Sequence, residues 1–87
     1  MPVPSFNDSP PVSDNVTDYD ERHLATYLRL LDAAAEGADW REAVKIIFEV
    51  DPDRNLARAK TIYESHLARA RWMTEQGYRH LLRASST

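Results

Sequence analysis

Eighty-seven residues allow one small domain, and a net charge of −3 over a balanced mix of apolar and charged residues marks an ordinary globular chain. No apolar run reaches the ~20 residues that a bilayer demands. The absence of cysteine removes disulfides, thiolate nucleophiles and cysteine-based zinc sites, and two glycines leave no room for a glycine-rich phosphate loop.

Residues 1–16 carry Pro2, Pro4, Pro10 and Pro11 among Ser, Asn and Asp, with no Lys or Arg. Proline removes backbone donors and blocks helix interiors, so a mobile, acidic, proline-rich tail is expected. The opening residues hold neither a basic segment nor an apolar stretch, so no secretory signal is expected and the cytoplasm is the expected compartment.

From Asp18 the pattern turns helical. Asp18 and Glu21 form a capping-box pair, and Leu24, Tyr27, Leu28 and Leu31 fall at i, i+3, i+4 and i+7. This spacing predicts a first helix ending at Gly37, with Leu28 in the core against Trp40 and Phe48. Asp39 and Glu42 open a second helix whose buried face is Trp40, Ala43, Val44, Ile47 and Phe48. Asp51-Pro52-Asp53 ends it, with Asp53 as the expected cap of the next helix.

That third helix is predicted from about Arg54 to Gln76, with a stripe of Leu56, Ala59, Ile62, Tyr63, His66, Leu67, Ala70 and Met73. Gly77 breaks it. Residues 78–83 are expected to add a short fourth helix with Leu81 and Leu82 folding back, and residues 84–87 to fray. The fold class is therefore all-α, a three-helix bundle with a helix-turn-helix-like arrangement and a short C-terminal fourth helix. The division is a tail over 1–16, a domain over 17–83 and a frayed end over 84–87.

Charge is unevenly placed. The first twenty residues carry −4, residues 21–53 carry −4, and residues 54–87 carry +5. A basic third helix suits DNA phosphates or an acidic protein surface. For DNA, its N-terminal side chains Arg54, Asn55, Arg58 and Thr61 have suitable chemistry, since Arg forks onto guanine and Asn onto adenine. Asp51 and Asp53 beside them and the net acidity oppose phosphate binding, so no specific DNA binding is expected.

For protein binding, Arg58, Arg69 and Trp72 share the outer face of the same helix, a composition typical of interface hot spots. The alternative is that Tyr78 to Leu82 cover Trp72 as a satellite core. His23, His66 and His80 lack metal-ligand spacing, and His66 lies on the apolar stripe as a hydrogen-bonded core residue. No nucleophile elbow or oxyanion loop accompanies any Ser, His and Asp. An enzyme is not expected, nor is any cofactor or metal, and a monomer is the expected state.

The blocks Tyr19-Asp20-Glu21-Arg22-His23-Leu24, Tyr27-Leu28-Arg29-Leu30-Leu31-Asp32, Glu36-Gly37-Ala38-Asp39-Trp40-Arg41-Glu42, Ser65 to Met73 and Gly77 to Arg83 resemble a proteobacterial family. It is the domain of unknown function numbered twenty-two eighty-five, common on integrative and conjugative elements. The resemblance covers about residues 18–83 and implies a helix-turn-helix-like fold. It further implies an antiactivator, a repressor of element excision and transfer. Such a protein binds transcriptional activators: a LuxR-type quorum-sensing regulator (the TraR class) and a larger same-family activator (the FseA class). Residues 45–63 match less closely, and no motif of the family assigns individual binding residues, so none is carried over.

Overall fold

The computed structural model describes residues 5–77, all of whose regular elements are helical. They are α1 (Asp18–Arg22), α2 (Leu24–Ala35), α3 (Trp40–Phe48) and α4 (Leu56–Trp72), the last extended by a π-helical turn over Met73–Gly77. Helices α2, α3 and α4 pack pairwise around one core, giving the small helical bundle that the periodicity implied. The short fourth helix and the fold-back of Leu81 and Leu82 lie outside the described residues.

Each helix ends where its sequence supplies a reason. Thr17 caps α1: its hydroxyl accepts from the Asp20 N–H (3.2 Å) while the Asp20 carboxylate accepts from the Thr17 N–H (2.9 Å). The box thus starts one residue before the expected Asp18 pair, because a Thr hydroxyl at the cap can bond back to N3. After α2, Gly37 takes φ +72° and the Ala38 N–H reaches the Ala33 carbonyl at 2.9 Å, a Schellman closure. Asp39 caps α3 by accepting from the Arg41 N–H at 2.9 Å.

Between α3 and α4, Glu49 adopts the left-handed region at φ 59°, an uncommon conformation for a side chain with a Cβ. It turns the chain out of α3 into the Asp51 to Asn55 connection. There Asp51 Oδ1 accepts from the Asp53 N–H (2.9 Å), and Asn55 rather than Asp53 caps α4, accepting from the Arg58 N–H (3.0 Å).

The core follows the predicted stripes in α3 and α4, except that Trp40, expected to be buried, is only half-buried at the edge of the core. Ala43, Val44, Ile47 and Phe48 are buried, as are Ala59, Ile62, Tyr63, His66, Leu67, Ala70 and Met73. Leu56 is the exception on the long helix, lying on the surface of its first turn.

The first helix departs from expectation. The chain breaks at His23 into α1 and α2, and the residues turned inward are Tyr19, Asp20, His23, Thr26, Tyr27 and Leu30. Leu28 is 62% exposed and does not anchor the core. With Leu24, Leu31 and Met73 it borders an open apolar groove. Of the expected stripe, Tyr27 is buried and Leu31 packs partly on the core, while Leu24 and Leu28 stay exposed; polar Asp20, His23 and Thr26 take the remaining buried positions.

A second departure concerns residues 5–16, expected as a mobile tail. They form a strap along the helices: Phe6 packs edge-on against Phe48 (centroids 5.0 Å apart), Pro10 is buried, and backbone atoms of Ser5, Asn7, Asp8, Ser13 and Asn15 bond to the body. Proline keeps this segment out of helices, but an extended backbone offers free carbonyls to donors elsewhere. Among the described residues no helix is long and apolar enough to cross a membrane.

Candidate nucleic-acid interface

Helix α4 is divided by what its polar side chains touch. In its C-terminal half, Arg69 is only 8% exposed and forks onto the Asp20 carboxylate, with Nη2 to Oδ2 at 2.7 Å and Nε to Oδ1 at 3.0 Å. Its remaining donors reach the strap carbonyls of Ser13 (2.7 Å) and Asn15 (2.8 Å). Tyr27 completes the cluster by donating its hydroxyl to Asp20 Oδ1 at 2.8 Å. Burial alone would raise the Asp20 carboxyl, but Arg69, the Thr17 N–H and Tyr27 overcome it and hold it at about 2. A buried pair in which each guanidinium nitrogen and both carboxylate oxygens have a partner is the arrangement in which such a pair is tolerated.

The expectation that Arg69 is an exposed contact residue is therefore corrected: the guanidinium turns inward because Asp20, itself fully buried, faces it. Its Cζ also lies 3.9 Å from the centroid of the Trp72 ring. Trp72 is half-buried and lines a shallow pocket with Pro10, Pro11 and Val12 of the strap. Its cover among the described residues is this strap; the alternative cover by residues 78–82 lies outside them.

Beneath the strap sits a histidine and tyrosine cluster. The His66 Nδ1–H donates to the Ile62 carbonyl (2.7 Å), which can only accept, so Nε2 accepts the Tyr19 hydroxyl at 2.6 Å. Tyr19 Oη in turn accepts the Asn7 N–H at 3.0 Å. His66 is thus the hydrogen-bonded core residue its stripe position implied. His23 stacks on Tyr19 (4.2 Å) and donates its Nε2–H to the Ser5 carbonyl (3.2 Å), leaving Nδ1 buried without a partner. Burial pushes both imidazoles below the ordinary histidine range.

The N-terminal half of α4 is different. Arg54, Asn55, Arg58 and Thr61 are all exposed, with Lys60 beside them. Arg58 and Thr61 are three residues apart and share a face, while Arg54 lies in the turn before the Asn55 cap. Asn55 spends its side-chain oxygen on the cap, which leaves its amide N–H₂ as the free group. Arg58 directs Nε to Asp8 Oδ1 of the strap at 3.0 Å, both side chains remaining half in water. Of the three residues expected to form a protein-binding face, the structure keeps Arg58 exposed, half-buries Trp72 and buries Arg69.

Sequence reasoning missed Asp20, Tyr19, Tyr27 and Asp8 as partners of the residues it singled out. Asp20 was legible as a carboxylate in a first helical turn, but nothing local indicates a cation 49 positions away.

The family profile described as T6SS, transcription factor, DNA binding domain (RovC DNA-binding) matches residues 5–83. Among curated proteins none matches the chain. The family overturns the expectation that DNA is not a partner, which rested on the net charge of −3 and on Asp51 and Asp53. Net charge averages over the whole chain, whereas a helix in a groove presents its own local face. Asp51, moreover, is engaged in the turn before α4, where its carboxylate holds the Asp53 N–H. Because the match takes in the strap as well as every described helix, the chain belongs to the family of T6SS transcription-factor DNA-binding domains.

Proposed function

We propose that the protein is a sequence-specific DNA-binding regulator of transcription, acting in the cytoplasm, with α4 as its reading helix. The observation that carries this is the exposed set Arg58, Lys60 and Thr61 at the start of α4, with Arg54 in the turn before it, on a chain whose family is a DNA-binding domain. Arg58 and Thr61 address base edges, Arg forking onto guanine and the Thr methyl or hydroxyl meeting a neighbouring pair. Arg54 and Lys60 flank them and suit phosphates, which fix register without reading sequence. The role is recognition and not catalysis.

The test is an electrophoretic shift of the purified full chain on duplexes enriched from a random-sequence library, with unenriched DNA as competitor. Preferential retention at physiological salt, lost on Arg58→Ala with the fold intact, is the expected result. Failure to enrich any sequence overturns the assignment. The finer resemblance, to a QseM-type antiactivator of a conjugative element, implies the opposite outcome, since such a protein works on activators and leaves the duplex unretarded.

A further inference from the structure

We propose that Asp8 is a positioning residue for DNA reading: it holds the Arg58 guanidinium by its Nε so that the two terminal nitrogens point free. The inference rests on the assignment of α4 as the reading helix and adds the strap to the reading surface. A guanidinium carries donors at Nε and at both Nη atoms, and two parallel donors are enough to span guanine O6 and N7. Asp8 Oδ1 takes the Nε–H at 3.0 Å and is the acidic partner of Arg58 among the described residues. The contact therefore leaves the fork open rather than occupying it.

Asp8 is itself held from several sides. Its carbonyl accepts the hydroxyl of Ser65, two turns along α4 from Arg58, at 3.0 Å. The residue before it, Asn7, bonds through its N–H to buried Tyr19, and Phe6 sits on Phe48. Pro10 is buried two positions later. A carboxylate on a backbone fixed in this way acts as a stop for a long, rotamer-rich side chain. Arg loses less freedom on reaching a base when its stem is already oriented.

A carboxylate near DNA also repels phosphate, so Asp8 should lower affinity for any sequence while raising discrimination between sequences. These opposite effects separate positioning from simple charge.

The experiment is selection from a random duplex library by the wild-type chain and by Asp8→Ala, Asp8→Asn and Arg58→Ala, each checked by thermal melting. Arg58→Ala should erase preference for a guanine at one position. Asp8→Ala should bind random DNA more tightly yet lose about tenfold of the preference at that same position, part of what a bidentate pair supplies. Asp8→Asn, whose side-chain oxygen still accepts the Nε–H, should keep the preference. An Asp8→Ala selection identical to wild type overturns the proposal, as does an Arg58→Ala selection that leaves every position unchanged. If the wild-type chain enriches nothing, the reading-helix assignment falls and takes this proposal with it.

Discussion

The two halves of α4 have similar chemistry and opposite fates. Arg58 and Arg69 lie eleven residues apart on one helix and both meet a carboxylate, yet one stays half in water and the other is enclosed. The difference is set by the partner. Asp8 stands on the rim of the strap, whereas Asp20 lies at the bottom of a helix junction, fully buried and bonded from three sides. An arginine count along a helix therefore measures two things at once, a surface for phosphate and a fastening for the chain itself. Only the location of the acidic partner tells them apart.

The sharpest contrast between the halves is expected at Arg69. Arg69→Ala leaves Asp20 as a buried charge without its cation and releases the carbonyls of Ser13 and Asn15. The expected cost is about 3–5 kcal/mol in a domain whose total is of order 5–15 kcal/mol. Denaturant titration measures it, and an unchanged midpoint would show that the pair contributes no net stability.

Next comes the inward face of α2. Leu30→Ala should cost about 2–5 kcal/mol because the side chain is completely buried. Leu28→Ala, on the open groove, should stay within about 0.5 kcal/mol. A cost at Leu28 equal to that at Leu30 would mean that the groove side of α2 is core as well.

Acid should loosen the strap before it unfolds the helices. Burial depresses both His23 and His66 below the ordinary range, so the unfolded chain takes up their protons first. Stability from the two is complete above about pH 6.5, their unfolded value, and declines as pH falls beneath it. Asp20, held at about 2, adds a separate loss that begins only below about pH 4. Protection of the Asn7 amide, its exchange rate taken against the intrinsic rate at each pH, should fall from about pH 7.5 to about pH 5 before protection in α4 does. A profile flat across that window would show that neither histidine is coupled to the strap.

The smallest effect on stability, and the largest on binding, belongs to Arg58. Arg58→Ala should change folding stability by no more than about 0.5 kcal/mol, as for other surface sites. Its loss should fall on discrimination between sequences. Lys60→Ala, by contrast, should weaken all duplexes alike and reduce the salt slope by about 1. If the two variants behaved identically, Arg58 would be one more phosphate contact.

Much of the helical body was legible from local chemistry. Asp39 and Gly37 mark their ends, and the run from Ala59 to Met73 keeps its apolar period through buried His66. Two physical facts kept the rest hidden. Apolar periodicity treats every leucine as core, so Leu28 outweighed Asp20 and His23, whose burial depends on partners far along the chain. The strap was hidden because its fastenings are mostly backbone carbonyls at Ser5, Asp8, Ser13 and Asn15, groups that every residue possesses and no composition reveals. The same blindness made Arg69 and Trp72 look like a surface awaiting another protein, when the surface is already engaged by the chain's own beginning.

The strap's bonds to α4 join residues 50 to 57 positions apart. On a ribosome the strap is therefore made before the helix residues that it bonds, and must wait for them. At ~5–20 residues per second, Ser13 leaves the peptidyl-transferase centre several seconds ahead of Arg69. Through that interval Asp20 has no Arg69 to pair with, and the carbonyls of Ser13 and Asn15 have no guanidinium to accept from. The order of synthesis thus keeps the fastening open until the helix it fastens exists.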